Sequence, residues 1–126
     1  SLLEQVVKIG EQTLAEDHPD QLASQHTLAT VYQANGQVKE ALSLLEQVVK
    51  IQEQTLAEDH PSRLASQHAL AAIYWDLGHR NAALQMMKDV VEIRRQLLDE
   101  HHPDRIASEA WLEQFKREMG DMQHLS

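Results

Sequence analysis

The chain has 126 residues, with 20 acidic against 11 basic for a formal charge of −9, and no cysteine. Such a charge repels a phosphate backbone, so nucleic acid is not expected as a partner, whereas a neutral or basic protein segment is. Without cysteine there is no disulfide framework and no cysteine-based zinc site, which fits a cytoplasmic setting. No apolar run approaches the roughly 20 residues that cross a bilayer, so no membrane association is expected.

The stretch from Leu2 to Ile9 recurs letter for letter from Leu44 to Ile51, an offset of 42 residues, and Glu11 to Pro19 recurs as Glu53 to Pro61. A worn third copy keeps the spacing at Val90, Val91, Ile93, His102 and Pro103, so three periods account for the whole chain. A fixed period in this range marks a stacked array whose units bury their apolar faces only against one another. Ser1 matches Ser43, so the chain opens inside a repeat, and a preceding segment is expected.

The breakers divide each period in two. Pro19, Pro61 and Pro103 stand in one register and Gly36, Gly78 and Gly120 in another. Proline is tolerated in the first turn of a helix, so Asp-His-Pro reads as the end of one helix and the start of the next. Gly36 and Gly78 suit a left-handed residue just past a helix C-terminus. These marks predict six helices: Leu2 to Glu16, Pro19 to Ala34, Val38 to Glu58, Pro61 to Leu77, Arg80 to Glu100, and Pro103 to Met119. In the third, Val38, Ala41, Leu42, Leu45, Val48, Val49 and Leu56 follow three-and-four spacing, with Glu46, Gln47, Lys50 and Glu53 opposite. The fourth repeats the pattern over a shorter span with Leu64, Ala65, Leu70, Ala71, Ile73 and Tyr74. The unit is a helical hairpin. Aromatic residues make up only 4% of the chain, which disfavours strand-based repeats of similar period, and HEAT-like helical repeats are the rival of comparable length.

The residues of the shorter helix separate these. Leu28, Ala29, Tyr32, Gly36, Ala41 and Leu45 resemble the tetratricopeptide signature, and Leu70, Ala71, Tyr74, Gly78, Ala83 and Met87 repeat it. Ala29 and Ala41 would let two helices approach closely while Tyr32 and Leu45 fill the space beside them. The family's usual period is about 34 residues. The longer unit, with its Leu-x-x-Asp-His-Pro connector, resembles the kinesin light chain type. The resemblance implies an all-α, right-handed superhelical solenoid of antiparallel helix pairs. Residues 1–126 would form one array: the second helix of a first repeat, two full repeats, and a terminal helix or cap over 103–119. That cap carries Glu113 and Lys116 where Ala71 and Tyr74 stand one period earlier. The near-identity of the first two copies is also similar to the C-terminal arrays of fungal NACHT or NB-ARC receptor-like NTPases.

The same resemblance implies that the first helix of each hairpin lines a concave groove. The positions that would bind a partner are His26, Thr27, Thr30 and Gln33, then His68, Trp75 and Asp76, then Trp111, Gln114 and Arg117, with Ala69, Ala72, Ala110 and Glu118 among them. Many relatives carry asparagine at the position of Thr27 and Ala69, so a clamp on a peptide backbone does not follow. Trp75 replaces Gln33 of the preceding repeat and reads equally as a binding hot spot or as a half-buried residue packed on the next helix. For Trp111 the cover of the array's end is the better reading. Eight histidines are present, but repeats stacked about 8–10 Å apart do not bring two imidazoles to one zinc, so no metal or other cofactor is expected. His18 and His60 read instead as helix caps, and Glu46 with Lys50 as an ordinary helix-face pair. With no Ser/His/Asp set, phosphate loop or convergent carboxylate pair, the expected role is protein binding without catalysis. The alternative is a self-associating scaffold, in which Leu3, Val6, Val7 and Leu14 of the first helix seek cover in a homo-oligomer.

Overall fold

The computed structural model describes residues 1–13 and 18–125, and of residues 12, 13 and 121–125 the backbone alone. The described chain is helical throughout: α1 (Leu2–Thr13), α2 (Pro19–Ala34), α3 (Val38–Thr55), α4 (Pro61–Asp76), α5 (Arg80–Leu97) and α6 (Pro103–Leu125). Consecutive helices pack on one another, and α2 also touches α4. The α2/α3 and α4/α5 hairpins thus stack into an α-solenoid in which the first helices of successive repeats lie side by side.

Each start and stop has a local cause. His18, His60 and His102 precede the three prolines, and each imidazole accepts at Nδ1 the backbone N–H two residues on, from Asp20, Ser62 and Asp104, all at 3.1 Å. An acceptor at Nδ1 satisfies one of the N–H groups that a helix leaves unpaired in its first turn. At the other end of the short helices Gly36 (φ +79) and Gly78 (φ +88) turn the chain through the left-handed region. The following N–H groups of Gln37 and His79 then reach back to the carbonyls of Tyr32 and Tyr74 at 2.7 and 2.9 Å, closing both helices in the same way.

The long helices α3 and α5 end three residues earlier than their periodicity predicts. Leu56 and Leu98 are extended, with ψ near 150°, and their N–H groups close the last turn on Gln52 and Arg94. Their carbonyls are held from outside the helix by the guanidinium groups of Arg63 and Arg105, both at 3.1 Å. An apolar spacing carries no sign of this, because the extended leucine keeps its place beside the stack. The short helix α4 likewise ends one residue early at Asp76, and α6 continues past Met119 to Leu125.

The paired alanines behave as predicted: Ala29, Ala41, Ala71 and Ala83 are all fully buried, with Leu45 and Met87 filling the space between helices. One core joins α2, α3 and α4, and a second joins α4, α5 and α6. Glu113 and Lys116, in the columns of Ala71 and Tyr74, are exposed on the outer side of α6. Among the described residues α1 packs on α2. Its stripe differs from the expected one: Val7 is buried against α2, Leu3 is half-buried, Leu2 and Val6 are exposed, and Leu14 lies outside the described residues.

The imidazole cap sets a first prediction. His60→Ala is expected to lower unfolding free energy by about 1 kcal/mol in urea denaturation, and His60→Asn to restore most of it, since a short side-chain acceptor does the same work. Equal stability of His60→Ala and the native chain would show the cap to be dispensable.

Candidate functional site

The face built by α2, α4 and α6 holds the residues predicted to bind, and the structure divides them. On α2, Thr27 and Thr30 are exposed, each hydroxyl donating to the carbonyl four residues back, Ala23 at 3.0 Å and His26 at 3.1 Å. On α4, Ala69 and Ala72 are partly to fully buried, a floor of small side chains, while Asp76 is exposed. On α6, Ala110, Gln114 and Arg117 are exposed, and Gln114 donates to Glu118 at 3.3 Å.

Trp75 is a packed residue. It is only 7% exposed, stacked on Phe115 with ring centroids 4.1 Å apart and planes 7° from parallel. Arg80 lies over the indole at 4.5 Å, and the indole N–H donates to Glu118 at 3.1 Å. Its aromatic face is therefore spent on the junction between α4 and α6 and is not offered to a groove ligand. Trp111 meets Phe115 edge-on at 5.7 Å and His68 at 6.5 Å, so it covers the end of the same cluster.

The preceding junction repeats this tie in polar form. Gln33, one period before Trp75, donates to Asp76 at 3.3 Å, and Asp76 stands one period before Glu118. Positions that differ between copies thus differ together: amide with aspartate, indole with glutamate. Gln33 and Asp76 hold neighbouring repeats together as well as facing outward.

Deeper at each junction sits a polar site that spacing alone did not single out. Between α4, α5 and α6, Arg94 is buried, and its Nη1 donates to the Ser108 hydroxyl at 2.7 Å and the Asp104 carbonyl at 2.9 Å. His68 Nδ1 lies 2.8 Å from the same hydroxyl. Burial, with the Arg94 charge beside it, pushes the His68 imidazole down to about 4, against a smaller opposing pull from Asp104. One period earlier the corresponding residues are Gln52, Ser66 and His26. There a pocket of about 490 Å³ opens, lined by Leu22, Ala23, His26 and Thr27 of α2, Gln52 of α3, and Ala65 and Ser66 of α4, among others. Two of the predicted binding residues, His26 and Thr27, therefore line a cavity. The pocket signal was present in the sequence as Gln52 against Arg94, yet only the placement of those side chains gives the difference a meaning.

Among the described residues no group of three or more histidines and carboxylates could hold a metal ion. No helix of the described chain is long and apolar enough to cross a membrane.

Comparison with known proteins agrees with this architecture. The tetratricopeptide repeat family model matches residues 1–54 and 20–96. No curated protein matches the chain. Crystal structures of a putative kinesin light chain from Podospora anserina with nearly identical TPR-like repeats, the parent and a variant, are 51% and 50% identical over 98% of this chain, each with a TM-score of 0.91. BtubC (BKLC) from P. vanneervenii shares the fold at a TM-score of 0.83, with 16% identity over 96% of this chain. The chain spans 58% of the Podospora structures and 48% of BtubC.

Two predictions come from this geometry. Trp75→Ala removes a buried stacked ring and is expected to cost about 3–5 kcal/mol in urea denaturation, far more than an exposed residue would. For His68 the folded-state value lies below the ordinary one of 6.5, so as pH falls the unfolded chain takes the proton first. Stability should therefore hold above about 6.5, decline toward about 4, and do so less in His68→Gln, as read by thermal midpoints across pH. A His68 imidazole titrating near 6.5 by NMR would sink this account.

With the signature leucines, alanines and Met87 in the core and the repeat boundaries capped as described, the chain belongs to the tetratricopeptide repeat family, whose members generally mediate protein–protein interaction on a scaffold without catalysis.

Proposed function

We propose that this array binds a partner polypeptide of neutral or basic character along the face formed by α2, α4 and α6. The observation that carries the reading is that residues along this face change from copy to copy, Thr30, Ala72 and Gln114 in one column, while Ala29 and Ala71 of the first two repeats are identical and fully buried beneath. Thr27, Thr30, Asp76 and Arg117 are exposed there, and the small floor of Ala69 and Ala72 lies between α2 and α6. A formal charge of −9 favours a basic partner in encounter and orientation.

Peptides selected on the array from a random display library test this. The selected pool should be enriched in net positive charge, and the double variant Thr30→Arg with Asp76→Lys should weaken its binding at least tenfold. Unaltered affinity in that variant would remove the face from consideration.

A second reading rests on α1. Val6 is 46% exposed, whereas Val48 and Val90, one and two periods on, are 0% and 1% exposed beneath the first helix of their own hairpins. The stripe of Leu2 and Val6 is built to receive such a helix, from a further repeat or a second copy of the chain. Sedimentation velocity across concentration should show association that Val6→Lys abolishes, and a monomer at all concentrations would end the second-copy version. The homogeneous repeats also fit the recognition end of a receptor-like NTPase, a reading that rests on resemblance and is tested by whether a nucleotide-binding domain precedes the array in its parent gene.

A further inference from the structure

The column formed by Gln52 and Arg94 contains the same backbone position filled in two ways. At the α4–α6 junction the arginine fills the site from within the chain, its guanidinium bonded to a serine hydroxyl and to a carbonyl in the first turn of the next helix. At the α2–α4 junction the shorter glutamine stops short, and a pocket of about 490 Å³ stands beside it, within the usual size range of ligand sites.

Two buried polar atoms border that pocket without a hydrogen-bond partner. Gln52 is 4% exposed, and its Oε1 is buried without a hydrogen-bond partner. The Nε2 of His26, also a pocket residue, is buried without one. Ser66 and Ser62, which line the same space, stand one period before Ser108 and Asp104, the two residues that receive the Arg94 guanidinium. Burial lowers the affinity of His26 for a proton, with the nearby Ala65 carbonyl opposing in part, so the neutral ring does not repel a cation. A buried acceptor left unpaired carries a desolvation penalty that a matching donor relieves.

We propose that the pocket between α2, α3 and α4 receives an arginine side chain of the partner polypeptide, its guanidinium taking the place that Arg94 fills in the next repeat. A planar fork of five donors suits the Gln52 oxygen on α3 together with the Ser62 and Ser66 oxygens on α4, which a single ammonium does not span. The wall of Leu22, Ala23 and Leu56 takes the aliphatic stem. The proposal rests on the protein-binding reading only in assigning the guanidinium to a partner. It adds to the face of exposed residues a single anchoring position.

The test uses capped amino acids, which read the pocket without any partner. N-acetyl-arginine methylamide is titrated into the chain while the His26 imidazole and the Gln52 side-chain amide are followed by NMR, with the corresponding citrulline and lysine compounds as controls. Saturable shifts at both side chains are expected from the arginine compound, with at least tenfold weaker binding of the neutral citrulline isostere and of lysine. Gln52→Arg should abolish the response, because its own side chain then occupies the site. Should that variant lose its helical circular dichroism, Ala23→Trp, placed at the exposed rim, closes the mouth without touching the buried groups. No saturable shift, equal binding of citrulline or lysine, or full binding after the pocket is closed would overturn the proposal. Such a failure would leave the display-selected peptides and their dependence on Thr30 and Asp76 as a separate question.

Discussion

The structure depends on how closely the two helices of a hairpin can approach, and the paired alanines set that distance. With Ala29 and Ala41 in one hairpin and Ala71 and Ala83 in the next fully buried, the backbones come near enough for Leu45 and Met87 to fill the remaining space. No helix here buries its apolar stripe alone, so each repeat is stable only as a neighbour of another. The exposure of Val6 shows the same rule from its open side, because the residue is chemically identical to Val48 and differs only in what covers it.

That constraint leaves the junctions between repeats as the place where copies can diverge. At the outer edge of the junction a donor on the first helix meets a carboxylate on the next, Gln33 with Asp76 and Trp75 with Glu118. Deeper in, Ser108 accepts from the arginine and lies beside His68. At the outer edge the donor and its carboxylate differ together between the two junctions, amide with aspartate and indole with glutamate. The stacking of Trp75 on Phe115 shows the consequence, since an indole at this column requires a large flat neighbour where the earlier junction has Ile73.

Much of this was legible from the period. The helix count, the turns at Gly36 and Gly78, the histidine caps and the buried alanines all follow from local chemistry repeated at fixed spacing. The ends of α3 and α5 did not, because Leu56 and Leu98 are apolar residues that leave the helix yet stay beside the stack. Trp75 was ambiguous for a related reason: a large aromatic on the first helix serves a groove or a junction according to which residue faces it, and Phe115 lies 40 positions away. The pocket was least legible, since glutamine against arginine in one column reads as an ordinary polar exchange until their depth is known.

Depth changes the physics of that exchange. An arginine taken out of water is tolerated only when its donors are met, and Arg94 has a carbonyl and a hydroxyl within hydrogen-bond distance. Burial still pulls its proton affinity down, with the Asp104 charge opposing, so the site holds the cation against a real desolvation cost. A glutamine in the same column carries no such charge, but its buried oxygen keeps the need for a donor. The two junctions therefore share a column of serine and first-turn positions and differ in whether an arginine of the chain itself reaches them.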